Sequence, residues 1–251
     1  MLLKLFPLDI VHMIQEYAEE RLGVSLKYTS YLETGSKMSK KMEHLKHLKW
    51  LGDNFKNFVF YPSLKSLELT YMDDFNTGKL KIFKSLTYLN LPYHSYCQGS
   101  GLSLLPDSLK ILKLRDYKGF IGNISNLDLD VLEMDSYENG SLENLSVLNL
   151  KSLSLGVYND DISPLSKITS LTCLYLPSYT DGDLTPLASL KELKVLVLGL
   201  FEGDLSPLAN LTSLEKLDLE NYEEGDLSPL FQLPNLKQIY APEYPGDNPF
   251  A

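Results

Sequence analysis

The sequence predicts an α/β solenoid, a right-handed coil with a parallel sheet along its concave side and a helical cap at its amino end. Three observations carry this. The phrase Asp161-Ile-Ser-Pro-Leu165 returns as Asp183-Leu-Thr-Pro-Leu187, Asp204-Leu-Ser-Pro-Leu208 and Asp226-Leu-Ser-Pro-Leu230, at spacings of 22, 21 and 22 residues. A wider pattern, Leu-x-x-Leu-x-Leu, anchors at nine first leucines: Leu64, Leu86, Leu109, Leu129, Leu150, Leu171, Leu193, Leu214 and Leu236. Within each copy the apolar period changes from two to three. A fixed repeat of this length means one small unit stacked on itself, so that neighbours bury what a single unit leaves bare.

Each copy can be justified in chain order. Leu67-Glu-Leu69 and Leu217-Asp-Leu219 alternate apolar with polar, which predicts a short strand with one face buried. The following Asp-Leu-Ser-Pro-Leu-x-x-Leu-x-x-Leu runs at steps of three, as a single helical or 3₁₀ turn does. Ser or Thr is then placed to cap that turn, with Pro at its first position. Gly182, Gly203 and Gly225 precede the Asp, where a sharp turn is expected. Stacked at about 4.8 Å per strand, nine copies give a core about 40 Å long. Leu45-Lys-His-Leu48-Lys-Trp50 reads either as a degenerate tenth copy or as an amphipathic turn or helix. Domain 61–251 is expected to hold about nine repeats, and 1–60 to be the helical cap.

Composition narrows the function. The 251 residues are 44% hydrophobic and 22% charged, ordinary for a folded chain. The net charge of −10 is uneven: residues 1–60 carry nine Lys/Arg against seven Asp/Glu, and the remainder 14 against 26. A repeat region at −12 repels phosphate backbones, so no nucleic-acid partner is expected. Pro7, Asp9 and His12 interrupt the first apolar run, and no stretch approaches the roughly 18 apolar residues of a membrane helix. A cytoplasmic protein without a membrane segment is expected.

The residues of the repeat carry a family resemblance. The chain resembles leucine-rich repeat proteins over about residues 64–244, and its Asp-Ile/Leu-x-Pro-Leu-x-x-Leu-x-x-Leu phrase is similar to the short repeats of internalins. One departure stands out. Five residues after the central leucine the family usually places an Asn, whereas this chain has Tyr117, Tyr137, Tyr158, Tyr179, Phe201, Tyr222 and Tyr244. A buried ladder of packed rings is the expected reading. The other is an exposed aromatic strip that grips a partner, and the burial of each ring separates the two.

In such a solenoid the residues between the two strand leucines line the concave sheet: Glu68, Asn90, Lys113, Glu133, Ser154, Tyr175, Val197, Asp218 and Tyr240. Packing leaves these positions free to vary, so specificity is expected there. Tyr88 and Tyr93 add an aromatic start. Tyr175, Val195 and Val197 form an apolar stretch bordered by Lys194, Glu215 and Asp218, the pattern of a protein-binding surface. A protein partner on this face is expected, with no cofactor and a monomeric chain.

The amino-terminal segment has a helical pattern from Pro7 to Leu22, with apolar positions at Leu8, Val11, Ile14 and Tyr17. Phe6-Pro7-Leu8-Asp9-Ile10-Val11, followed by Ile14 and Tyr17, resembles the first helix of an F-box. That resemblance implies docking to a ubiquitin-ligase adaptor subunit, with the repeats holding a substrate. The Val-x-x-x-Trp-type ending of that motif is not evident.

Catalytic signals are weak. His44 and His47 lie three apart beside Glu43 but lack a third metal ligand, and a solvated helix face is the expected reading. The acidic turns Asp181-Gly-Asp183 and Glu223-Glu-Gly-Asp226 lack calcium-loop spacing. Cys173 has no nearby His, and neither a phosphate loop nor a serine elbow occurs. No metal and no enzymatic activity are expected. After Tyr244 little chain remains to shield the last leucine layer, and Phe250 is expected to fold back over it.

Overall fold

The structure is a computed structural model that describes residues 46–50, 61, 63–69, 77–91, 101–115, 121–137, 140–180 and 182–250. Ten short strands follow one another: β1 His47–Trp50, β2 Ser66–Leu69, β3 Tyr88–Leu91, β4 Ile111–Leu114, β5 Val131–Met134, β6 Ser152–Leu155, β7 Cys173–Tyr175, β8 Val195–Val197, β9 Lys216–Asp218 and β10 Gln238–Tyr240. They form one open parallel sheet in sequence order. The chain therefore coils as a solenoid, advancing one strand per repeat.

Register keeps the layers aligned. Leu153 pairs with Leu174, Leu174 with Leu196 and Leu196 with Leu217, so the central leucines stack in one column. All four are buried, and a fully buried leucine contributes roughly 2 kcal/mol. The returning segments are 3₁₀ turns, among them Ser163–Lys167, Thr185–Ser189, Ser206–Asn210 and Ser228–Leu230. Their leucines, such as Leu165, Leu187 and Leu208, enter the same core from the other side.

The expected cap is corrected. Ser163, Thr185, Ser206 and Ser228 lie just inside their turns, and the residues before them are Ile162, Leu184, Leu205 and Leu227, none making a side-chain cap. The repeated Asp does the work instead. The backbone N–H of Ser163, Thr185, Ser206 and Ser228 donates to Oδ1 of Asp161, Asp183, Asp204 and Asp226, at 2.8 Å each time. Hydrogen bonds from the Ser or Thr side chain and backbone hold these four carboxyls below their ordinary range.

Glycine, too, has another role than expected. A Cβ at Gly182 would collide with the Tyr179 hydroxyl, and one at Gly203 would lie 2.6 Å from Phe201 Cζ. These glycines clear space for rings. Among the described residues only Gly225 has a left-handed backbone, with φ +131°.

The rings themselves are buried. Tyr137, Tyr158, Tyr179, Phe201 and Tyr222 are at most 3% exposed, which decides for the ladder over the gripping strip. Tyr137–Tyr158, Tyr179–Phe201 and Tyr222–Tyr244 stack with ring centroids 6.1 Å apart. The Tyr158 hydroxyl donates to the Asp161 carbonyl at 2.9 Å, and that of Tyr137 to the Ser141 carbonyl at 3.3 Å. They satisfy turn carbonyls where the resemblance led to an Asn. Tyr117 lies outside the described residues.

At the amino end, residues 47–50 form a strand, β1, with Leu48 buried opposite Leu67. His47 is a strand residue, which corrects the helix reading at that position, whereas His44 lies outside the described residues. Pro7, Leu8, Ile10, Val11, Ile14 and Tyr17 lie outside the described residues, as does the expected helical cap. At the far end Phe250 packs against the core and tilts onto Phe231, with centroids 6.2 Å apart. Asn248 Nδ2 donates to the Ile239 carbonyl at 2.9 Å, and the Ile239 N–H to the Phe250 carbonyl at 3.3 Å.

Candidate functional site: the concave sheet

Because strand side chains alternate, the face opposite the leucine column carries two parallel rows. The first runs through Lys49, Glu68, Asn90, Lys113, Glu133, Ser154, Tyr175, Val197, Asp218 and Tyr240, each in register with the next. The second lies two residues earlier in each strand and includes Tyr88, Ile111, Val131, Ser152, Cys173, Val195 and Lys216. The fold thus brings the sequence-chosen positions together. Tyr93 lies outside the described residues.

Their exposure differs from expectation. Tyr175 is 7% exposed, Val195 3%, Val197 8% and Asp218 6%. With Cys173, the three apolar residues form a small cluster separate from the leucine core. The reason is geometric: strands about 4.8 Å apart let a ring and two branched side chains cover their cross-strand neighbours. Tyr240, on the last strand, remains 45% exposed.

The two ends of the face differ in charge balance. Lys49 pairs with Glu68 at 2.6 Å, and Lys113 pairs with Glu133 on the next strand. Arg115 adds a looser contact to Asp135 at 3.8 Å. Tyr88 stands between these pairs, its hydroxyl pushed up to about 12 by burial, then by the charges of Glu68 and Glu133. The β1–β5 end therefore answers its own charges.

The β7–β10 end does not. Asp218 Oδ1 is buried without a hydrogen-bond partner, and at the other end so is Asn90 Oδ1. Burial first, and the Glu220 charge second, raise the Asp218 carboxyl above its ordinary value, opposed in part by the Glu220 backbone N–H. Burial likewise raises the Tyr175 phenol, with smaller effects from Cys173, Glu133 and Asp218. Glu215 is held by Lys237 at 2.5 Å, away from this carboxylate.

Sequence reasoning underweighted the second row. Cys173, Ser152 and Lys216 share the face because they stand two residues before a first-row position, a signal the period-two pattern already contained. Elsewhere, a cavity of about 330 Å³ lies on the turn side between Asn159–Ser163 and the residues Tyr179, Gly182, Asp183 and Pro186. Among the described residues no group of three or more His, Cys, Asp or Glu could hold a metal ion. No helix there is long and apolar enough to cross a membrane.

Solved structures with this architecture come from distant organisms. An internalin, InlF of Listeria monocytogenes, aligns with TM-score 0.56 at 19% identity, over 79% of this chain and 68% of its own. A leucine-rich repeat protein of Leptospira interrogans aligns at 0.61 and 18%, over 89% of this chain and 64% of its own. Toll, in its complex with Spätzle from Drosophila, aligns at 0.58 and 15%, over 81% of this chain and 30% of that one. No protein-family profile matches the sequence, and no curated protein is significantly similar to it. At these identities the likeness establishes the fold: this chain is a leucine-rich repeat solenoid.

Proposed function

We propose that the chain is a non-catalytic recognition module that holds a protein partner on its concave sheet, chiefly over β6–β10. One observation carries the reading. Nine consecutive strand pairings align first-row side chains that the leucine core does not use, and at one end these form an apolar cluster beside a buried carboxylate whose Oδ1 lacks a hydrogen-bond partner. Apolar centre and polar border suit a protein surface. The rigid stack presents them without an ordering cost at binding. That Toll forms a complex with Spätzle on the same fold supports the class of function. The chain itself is read as a monomer, with β10 occupied by residues 248–250.

Two bulky substitutions test it. Ser154→Arg places a long side chain mid-row, whereas Val147→Arg alters a residue 64% exposed and outside the sheet. Both variants should melt close to the parent. In capture from extracts of the producing cells, Ser154→Arg should lose the specifically retained protein and Val147→Arg should keep it. Undiminished capture by Ser154→Arg would move the partner off the concave face.

A further inference from the structure

We infer that the β8–β10 end of the concave face receives an arginine side chain of the protein partner, its guanidinium hydrogen-bonded to the Asp218 carboxylate and stacked on Tyr240. The inference rests on the concave-face reading above and specifies the group recognised there.

Asp218 stands in register between Val197 on β8 and Tyr240 on β10. It is 6% exposed, Oδ1 has no hydrogen-bond partner, and among the described residues the carboxylate has no ion-pair partner; the Glu220 backbone N–H favours its charged form only in part. A buried carboxylate left in that state is costly, and the cost is recovered when a cation arrives with a donor. The obvious internal candidate does not supply it. Lys216 lies two residues earlier on the same face, but forms no ion pair with Asp218. The nearby Glu220 adds further negative potential, and its charge helps to raise the Asp218 carboxyl.

Arginine fits this place better than lysine. Its planar guanidinium is weakly hydrated and donates in the plane while stacking on a ring. Tyr240, 45% exposed and one strand over, offers that ring. Val197 on the other side gives the aliphatic stem an apolar wall. The 61–251 region, at −12, attracts a basic partner from a distance.

The test uses the full labelled chain and N-acetyl-glycyl-arginyl-glycinamide, with the norleucine analogue as control. Carbon-13 signals of the Asp218 carboxyl and the Tyr240 ring should shift saturably, with a dissociation constant on the order of millimolar. Norleucine should leave the carboxyl signal in place. Asp218→Asn should weaken binding roughly tenfold, equivalent to about 1.4 kcal/mol, and Tyr240→Leu should weaken it less. Tyr240 is exposed enough that its replacement leaves the fold intact, so the pair stays informative if Asp218→Asn unfolds. An unmoved Asp218 signal at ten-millimolar arginine peptide, or equal binding by both variants and the parent, overturns the inference. If that happens while Ser154→Arg still abolishes capture, the concave-face reading stands and only the arginine is lost. If Ser154→Arg captures normally, the failure belongs to the reading beneath it.

Discussion

Tyr179 and Tyr175 lie four residues apart in one coil, are both buried, and belong to surfaces of opposite character. Tyr179 is one rung of a ladder whose position holds Tyr or Phe in every described coil from Tyr137 to Tyr244. Tyr175 is one member of a row that reads Lys, Glu, Asn, Lys, Glu, Ser, Tyr, Val, Asp, Tyr. The ladder repeats because every coil must solve the same turn: a ring, space for it, and donors for the carbonyls beneath. The row varies because the stack asks nothing of it beyond fitting a strand. Burial alone does not separate a structural residue from a recognising one; the difference is whether the repeat dictates the side chain.

That contrast can be broken first at a rung. Phe201→Ala empties a site that is fully buried and should cost about 3–5 kcal/mol, read as a fall in the urea midpoint. Tyr240→Ala, in the row, should stay within about 0.5 kcal/mol of the parent. Equal losses at the two positions would erase the distinction.

A glycine sharpens it next. Gly182→Ala forces a methyl into the Tyr179 hydroxyl and should cost about 1–3 kcal/mol. In a Tyr179→Leu background the same change should cost much less, because nothing remains to collide with. A double-mutant cycle that shows simple additivity would mean the glycine serves the backbone and not the ring.

Acid titration separates the two regions by sign. Asp218, in the row, has a raised carboxyl, so its contribution becomes favourable as pH falls through that raised value toward the ordinary one near 3.8. Asp218→Asn should therefore raise the melting temperature at pH 7 and flatten its dependence between that value and neutrality. The turn residues Asp161, Asp183, Asp204 and Asp226 are depressed; their stabilisation is complete above 3.8 and is lost as pH falls through their lower folded values. Asp204→Ala should give a smaller melting loss at neutral pH that vanishes in strong acid, while Asp204→Asn, still an acceptor, should keep most of the stability. A loss from Asp204→Ala that persists undiminished at pH 2 would assign it to something other than the carboxylate.

The smallest effect belongs to the self-paired end of the row. A double-mutant cycle on Lys113 and Glu133, both partly exposed, should return about 0.2–1 kcal/mol and weaken with salt. A coupling well above that range would make this pair a structural element and move it to the ladder's side of the comparison.

Much of this was readable in the residues. The leucine spacing alone placed nine of the ten strands, because a strand every 20 to 23 residues can pair only with the copies beside it. The aromatic register was equally plain, since seven rings at one offset need a common environment. What escaped depended on third-dimensional reach. Gly182 and Gly203 look like turn formers in one dimension, and only the ring leaning over them shows their purpose. The phrase places Ser or Thr as the cap, yet each 3₁₀ turn begins one residue earlier, at the Ser or Thr itself, and hands that residue's backbone N–H to Asp. His47 carried too little pattern to distinguish strand from helix, and its pairing with Ser66 decided it. The burial of Tyr175 and Val197 required knowing how far one strand's side chains lean over the next.

The tail laid across β10 has a consequence for assembly. A parallel sheet grows wherever its outermost strand still offers free amides and carbonyls, and Ile239 has spent both of its own on Asn248 and Phe250. A second chain arriving at that margin finds its docking points taken. Accretion of copies in register, the usual hazard of a long stack of strands, is thereby halted on that side by a few residues that contribute nothing to the repeat.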